Sequence, residues 1–136
     1  MMKRNQLREA IFRHLDGLVV VPVAYSLFKK GILTHLLNEK STTLAQITNE
    51  FNANEGYLNV ALRVLASQGF LKYEVDNKSG SVSISTLPNS EFAFSLVPIY
   101  EDTFQLLTQT SVFTANKMDL DTIACFEPIF NNLTAV

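Results

Sequence analysis

The sequence predicts a mainly α fold, a winged helix-turn-helix with flanking N- and C-terminal helices. Three observations carry that prediction. Two short stretches of helical periodicity follow one another between Thr42 and Ser67. Two short alternating stretches come next, at about 70–75 and 81–85. A polar run, Asp76-Asn77-Lys78-Ser79-Gly80, joins those two as a turn.

The chain opens with a helical pattern over residues 3–15, where Leu7, Ile11, Leu15 and Leu18 share a face. Gly17 weakens or ends it. The run from Leu18 to Lys30 is almost wholly apolar before its two lysines. Proline is tolerated in a first helical turn, so Pro22 places a new helix start near Val19. Lys29, Lys30 and Gly31 are the chemistry of a helix end. Ile32 to Leu37 forms another short helix, and Asn38 to Ser41 reads as a link.

The motif itself begins at Thr43, with Gln46 three residues on, which is a capping-box pattern. Leu44, Ile47 and Phe51 form its apolar stripe. Asn54 is a good N-cap for the next helix, whose inner face is Leu58, Ala61, Leu62 and Leu65. Gly69 is placed for a left-handed helix end. Phe70 to Val75 and Ser81 to Ser85 then alternate as the wing. Beyond it, Thr86 to Ser90 reads as a loop with helix-start chemistry. Further helices are expected over 99–108 and 119–130, the second disturbed by Pro128.

With 136 residues, 47% of them hydrophobic and 18% charged, the chain can bury one core. We read 1–136 as a single domain: N-terminal helices over 1–30, a winged-helix core over 31–86 and a helical extension over 87–136. The net charge of -2 gives no general attraction to polyanions. Its distribution is uneven. Lys3, Arg4, Arg8 and Arg13 oppose only Glu9 at the start, whereas after Gly80 only Lys117 opposes six acidic residues. One cysteine, Cys125, excludes an internal disulfide and fits a reducing, cytoplasmic setting. The apolar run Leu18–Ala24 is too short to span a bilayer, so no membrane association is expected.

No catalytic constellation is present. His14 and His35 lack ligands at metal spacing and read as packing or surface residues. The five glycines are scattered, with no phosphate-cradling pattern. Tyr100, Glu101 and Asp102 are the densest polar cluster of the tail and the candidate edge of a pocket. A DNA reader should be basic over its motif. From Ser41 to Gly80, Arg63, Lys72 and Lys78 face Glu50, Glu55, Glu74 and Asp76, which argues against a nucleic-acid partner. The positions expected to point outward from the second motif helix are Glu55, Asn59, Arg63 and Ser67.

Ala24-Tyr25-Ser26-Leu27, Gly31-Ile32, Leu36, Leu44-Ala45, Leu58, Leu62-Arg63-Val64-Leu65 and Gly69-Phe70-Leu71 together resemble the front domain of S-adenosylmethionine-dependent O-methyltransferase-like proteins. That resemblance covers about residues 20–85. The continuation from Pro88 to Leu107 looks similar to methyltransferase regions embedded in polyketide synthases, loading modules included. The resemblance implies a non-catalytic dimerisation and substrate-lid domain, in polyketide biosynthesis, that forms the front part of a larger protein. It implies neighbouring partners as well: the protein's own catalytic domain, or adjacent synthase domains. The family's glycine-rich cofactor turn does not occur before Val136, so no catalytic or cofactor residue carries over. S-adenosylmethionine belongs to a catalytic domain outside this segment, and neither it nor a metal is expected to bind here. The alternatives are a winged-helix DNA-binding transcription regulator and a stand-alone protein-protein adaptor.

Residues 4–30 hold more apolar surface than one small core can bury. A homodimer is therefore expected, with Leu7, Ile11, Leu15, Val19, Val23 and Leu27 near the contact. For the cofactor, isothermal titration of the chain with S-adenosylmethionine should give no heat of binding. Micromolar affinity would overturn that expectation.

Overall fold

The computed structural model describes residues 3–101 together with Phe104, Ala124 and Glu127. The chain divides into two compact units, Met1–Val97 and Pro98–Val136. The first holds the winged helix. Its elements are α1 (Arg4–Lys29), α2 (Ile32–Glu39), β1 (Ser41–Thr43), α3 (Leu44–Glu50), α4 (Glu55–Ser67), β2 (Leu71–Val75), β3 (Val82–Thr86) and α5 (Ser90–Ser95). A 3-10 turn, Val97–Ile99, follows. The fold is mainly helical with one small antiparallel sheet, as the periodicities predict. Part of the expected 87–136 extension, α5, falls in the first unit. The expected helices over 99–108 and 119–130 lie largely outside the described residues.

Local chemistry accounts for the motif helices. Thr43 Oγ1 accepts a hydrogen bond from the Gln46 backbone at 3.3 Å, and the Gln46 side chain accepts from Thr43 N at 2.9 Å. This closes the capping box that starts α3. Asn54 Oδ1 accepts from Tyr57 N at 3.1 Å and starts α4. The α4 helix ends at Gly69, whose φ of +74° is a left-handed conformation that glycine adopts without Cβ strain. There Phe70 N reaches back to Leu65 O at 3.1 Å, a Schellman-type closure.

The sheet has the order β1-β3-β2. Ile84 lies at its centre, opposite Thr42 on one side and Tyr73 on the other, and is fully buried. The two-strand wing is thus extended by β1, of which the sequence reading places Ser41 in a link and Thr42 and Thr43 at the start of the helical motif. Three residues are too few to show alternation, and β1 exists only because β3 offers a free edge. Leu33 and Leu36 of α2, Ile47 of α3 and Leu62 and Leu65 of α4 fill the core with Ile84. Each such side chain contributes about 1.5–3 kcal/mol by leaving water.

The largest departure from expectation is α1. The sequence reading breaks this stretch at Gly17 and restarts it near Val19. The structure carries one helix through both Gly17 and Pro22. An internal proline costs about 3 kcal/mol or more. Val20 lies before it and Ala24 and Leu27 after it, and all three are buried where α1 packs on α2 and α4. That burial on both sides of Pro22 holds the helix continuous. The helix is therefore long and apolar enough, by length and composition, to cross a membrane, unlike the short run Leu18–Ala24 considered alone. Arg13 and Asp16 interrupt its apolar length, and only its C-terminal part, through Val20, Ala24 and Leu27, is buried on the core.

Replacing Leu62 with alanine should cost about 2–5 kcal/mol. Losing the Thr43 cap through Thr43→Ala should cost about 1 kcal/mol. Urea unfolding followed by circular dichroism reads both. An equal effect of the two would contradict a core built on α4.

Candidate functional site

Two surfaces of the first unit stand out, both made by helices that are buried on one side only. The first is on α1. Between Arg4 and Val19 no residue is buried. Leu7, Ile11, Phe12, Leu15, Leu18 and Val19 are each 50–53% exposed. At 3.6 residues per turn, the stripe Leu7-Ile11-Leu15-Leu18 lies roughly opposite the buried set Val20, Ala24 and Leu27. The helix therefore carries two apolar faces, one turned to the core and one to solvent.

This sorts the six residues expected near a contact. Leu7, Ile11, Leu15 and Val19 are on the open part of α1. Val23 is half-buried. Leu27 is 5% exposed and is spent on the chain's own core, because it faces α2 and α4 rather than solvent. Two further residues, Phe12 and Leu18, join the open face. The helical stripe contains Leu18 on spacing alone, whereas Phe12 is held there by Arg8, whose guanidinium lies 5.4 Å from the ring centroid.

The second surface is the outward side of α4 with the wing beside it. Tyr57 is 81% and Val60 58% exposed there, beside Glu55, Arg63 and Ser67. Asn59 departs from the expected outward set. It is half-buried, and its Oδ1 accepts the Tyr73 hydroxyl hydrogen from β2. That bond ties the helix to the wing and fixes their relative position. An open groove of about 310 Å³ runs between Val60, Arg63, Val64 and Ser67.

The wing tip is ordered by one carboxylate. Asp76 accepts from Lys78 N at 2.9 Å through Oδ1 and from Ser79 Oγ at 2.8 Å through Oδ2. Asp76 N in turn donates to Ser81 O at 2.8 Å and closes the hairpin. The backbone bond from Lys78, then the Ser79 hydroxyl, hold the Asp76 carboxyl below its ordinary pKa of 3.8. Lys72 and Glu74 form an exposed pair at 2.9 Å. Across α4 and the wing, Arg63, Lys72 and Lys78 are matched by Glu55, Glu74 and Asp76, so the surface is close to neutral.

The remaining candidates do not assemble into a reactive site. His14 is exposed on α1. The His35 ring joins α2 to α3, with Nδ1 3.1 Å from Glu50 Oε1 and its plane edge-on to Phe51 at 5.3 Å between centroids. Sequence separation hides that cluster, since the three residues meet only after α2 and α3 pack. Among the described residues no three His, Cys, Asp or Glu side chains could hold a metal ion together. Tyr100 and Glu101 belong to the second unit, half-buried and exposed respectively, and Asp102 lies outside the described residues.

These surfaces sit on a winged-helix domain, a class of fold rather than a single activity. The family model described as the AprA N-terminal domain matches residues 7–73, from the open part of α1 into β2. No curated protein sequence matches. Solved structures similar to this chain include YusO from Bacillus subtilis, at 14% identity and a TM-score of 0.44, with 99% of each chain covered. BldR from Sulfolobus solfataricus is similar at 12% identity and a TM-score of 0.43, over 99% of this chain and 100% of its own. A MarR mutant from E. coli, solved with operator DNA, is similar at 12% identity and a TM-score of 0.43, over 91% of each chain. None is near enough in sequence to carry a function across.

The Asp76 shift has a direction that can be checked. A depressed folded pKa means that the wing tip gains stability from the ionised carboxylate above pH 3.8. That contribution is lost as pH falls through the folded value, which lies lower still. A carboxyl NMR titration should place the Asp76 midpoint below 3.8, and in Ser79→Ala the midpoint should move back up. A midpoint at or above 3.8 in the intact chain would contradict the hydrogen bonding described here.

Proposed function

We propose that this chain is a non-catalytic winged-helix domain that acts as a homodimer, joined through α1, with α4 and the wing as its outward working face. The observation that carries the reading is the second apolar face of α1. Soluble chains rarely leave a contiguous apolar stripe in water. Pairing identical stripes about a two-fold axis removes both at once.

What the working face meets divides the reading. A transcription regulator comes first, because the surface it needs is present in the chain itself. The outward side of α4 is uncovered beside a closed, anchored wing, an arrangement suited to a major groove. The balanced charge then predicts weak phosphate attraction and a shallow salt dependence, with Arg63 as the main base-reading candidate. The second reading is the front domain of an S-adenosylmethionine-dependent methyltransferase, within polyketide biosynthesis. Its support is the near-neutral motif, the sequence resemblance over 20–85, and a match to a family described as an N-terminal domain. It relies on a catalytic domain outside these residues. An adaptor role would use the exposed Tyr57 and Val60 in protein contact instead.

Sedimentation equilibrium tests the shared part. The intact chain should be dimeric at micromolar concentration, and a double Ile11→Glu, Leu15→Glu variant should be monomeric with unchanged helical circular dichroism. An intact chain that stays monomeric at high micromolar concentration without aggregating would contradict it. Fluorescence anisotropy with a mixed pool of duplexes at low salt separates the finer readings. The regulator reading expects binding that Arg63→Ala weakens by about 1–3 kcal/mol. No binding at low salt would remove that reading and leave the front-domain and adaptor readings.

A further inference from the structure

The geometry points to an antiparallel seam between the α1 helices of two copies, with Leu7 of one copy level with the partner's Leu18 and Ile11 level with the partner's Leu15. This rests on the dimer reading above and adds to it the occupant's direction and register.

The first support is the spacing. The stripe Leu7, Ile11, Leu15 and Leu18 advances by four, four and three residues, the step of a helix-helix seam. Read backwards, the steps are three, four and four, which is nearly the same pattern. A two-fold axis near residue 13 therefore superposes the stripe on a reversed copy of itself. Leucine meets leucine at both ends and isoleucine meets leucine in the middle. A two-fold interface requires such self-complementarity, and a foreign partner would not.

The second support is charge, which separates the two possible directions. Arg4 and Arg8 are at the N-terminal end of the open face, next to Lys3, and no acidic residue lies in that first turn. A parallel pair would set these bases against their own copies and bring two positive helix ends together. An antiparallel pair sets them beside the partner's Leu18 and Pro22, which carry no charge. Arg8 already leans over Phe12 at the flank, so it need not enter the seam.

Cysteine placement tests the direction without a structure of the complex. All variants carry Cys125→Ser. Leu7 and Leu18 lie about 16 Å apart along one helix at 1.5 Å per residue. Disulfides need Cα atoms about 4.4–6.8 Å apart, so no bond can form within one chain. Under copper-phenanthroline and air, Leu7→Cys alone and Leu18→Cys alone should remain non-covalent, whereas the double variant should give a covalent dimer on a non-reducing gel. Efficient cross-linking of Leu7→Cys alone would establish a parallel pair and overturn the inference while leaving the dimer standing. No cross-link in the double variant would also overturn it. Sedimentation of those samples then shows whether the dimer forms elsewhere or whether the dimer reading has failed too.

Discussion

The first unit depends on the seating of Val20, Ala24 and Leu27 against α2 and α4. Those three residues keep α1 continuous across Pro22, give α4 a wall to pack on, and so hold the motif in place. The same seating has a second consequence. A helix that is committed at its C-terminal end must project its N-terminal turns beyond the core. Arg4 to Val19 is therefore helical but unburied. The free energy of the anchored half stabilises the fold, and the projecting half is left for association.

On the other side of the unit, polar contacts add to the packing of α4 in positioning the working face. The Tyr73 hydroxyl bonded to Asn59 joins α4 to β2, and Asp76 ties down the wing tip. Ser90 is buried, with its hydroxyl donating to Phe70 O and accepting from Leu87 N, and this secures α5 against the start of β2. Each bond adds only about 0.5–1.5 kcal/mol. Their effect is geometric, since a helix and a hairpin must keep one spacing to present a single surface.

Much of this was legible from residue spacing. Thr43, Gln46, Asn54 and Gly69 marked the ends of α3 and α4, and the inward leucines of α4 are those expected. The rest was hidden for identifiable reasons. Gly17 and Pro22 carry the local chemistry of a break, and only tertiary burial overrides it. β1 is too short to have a pattern of its own. Asn59 looked outward because helical spacing cannot reveal a tyrosine fourteen residues away, on β2, that reaches it. The apolar surplus near the N-terminus was visible in the sequence. Its division into a core face and an open face was not, and Leu27 changed sides as a result.

The claim that one α1 helix serves two separate apolar contacts is tested most directly by backbone hydrogen exchange along it, measured against protein concentration. The amides from Val20 to Leu27 should be protected equally at all concentrations. Those from Leu7 to Val19 should exchange rapidly in dilute solution and become protected as dimers form. If the Leu7–Val19 amides were protected to the same degree at every concentration, or remained unprotected up to high micromolar protein, α1 would have one contact only and the account would fail.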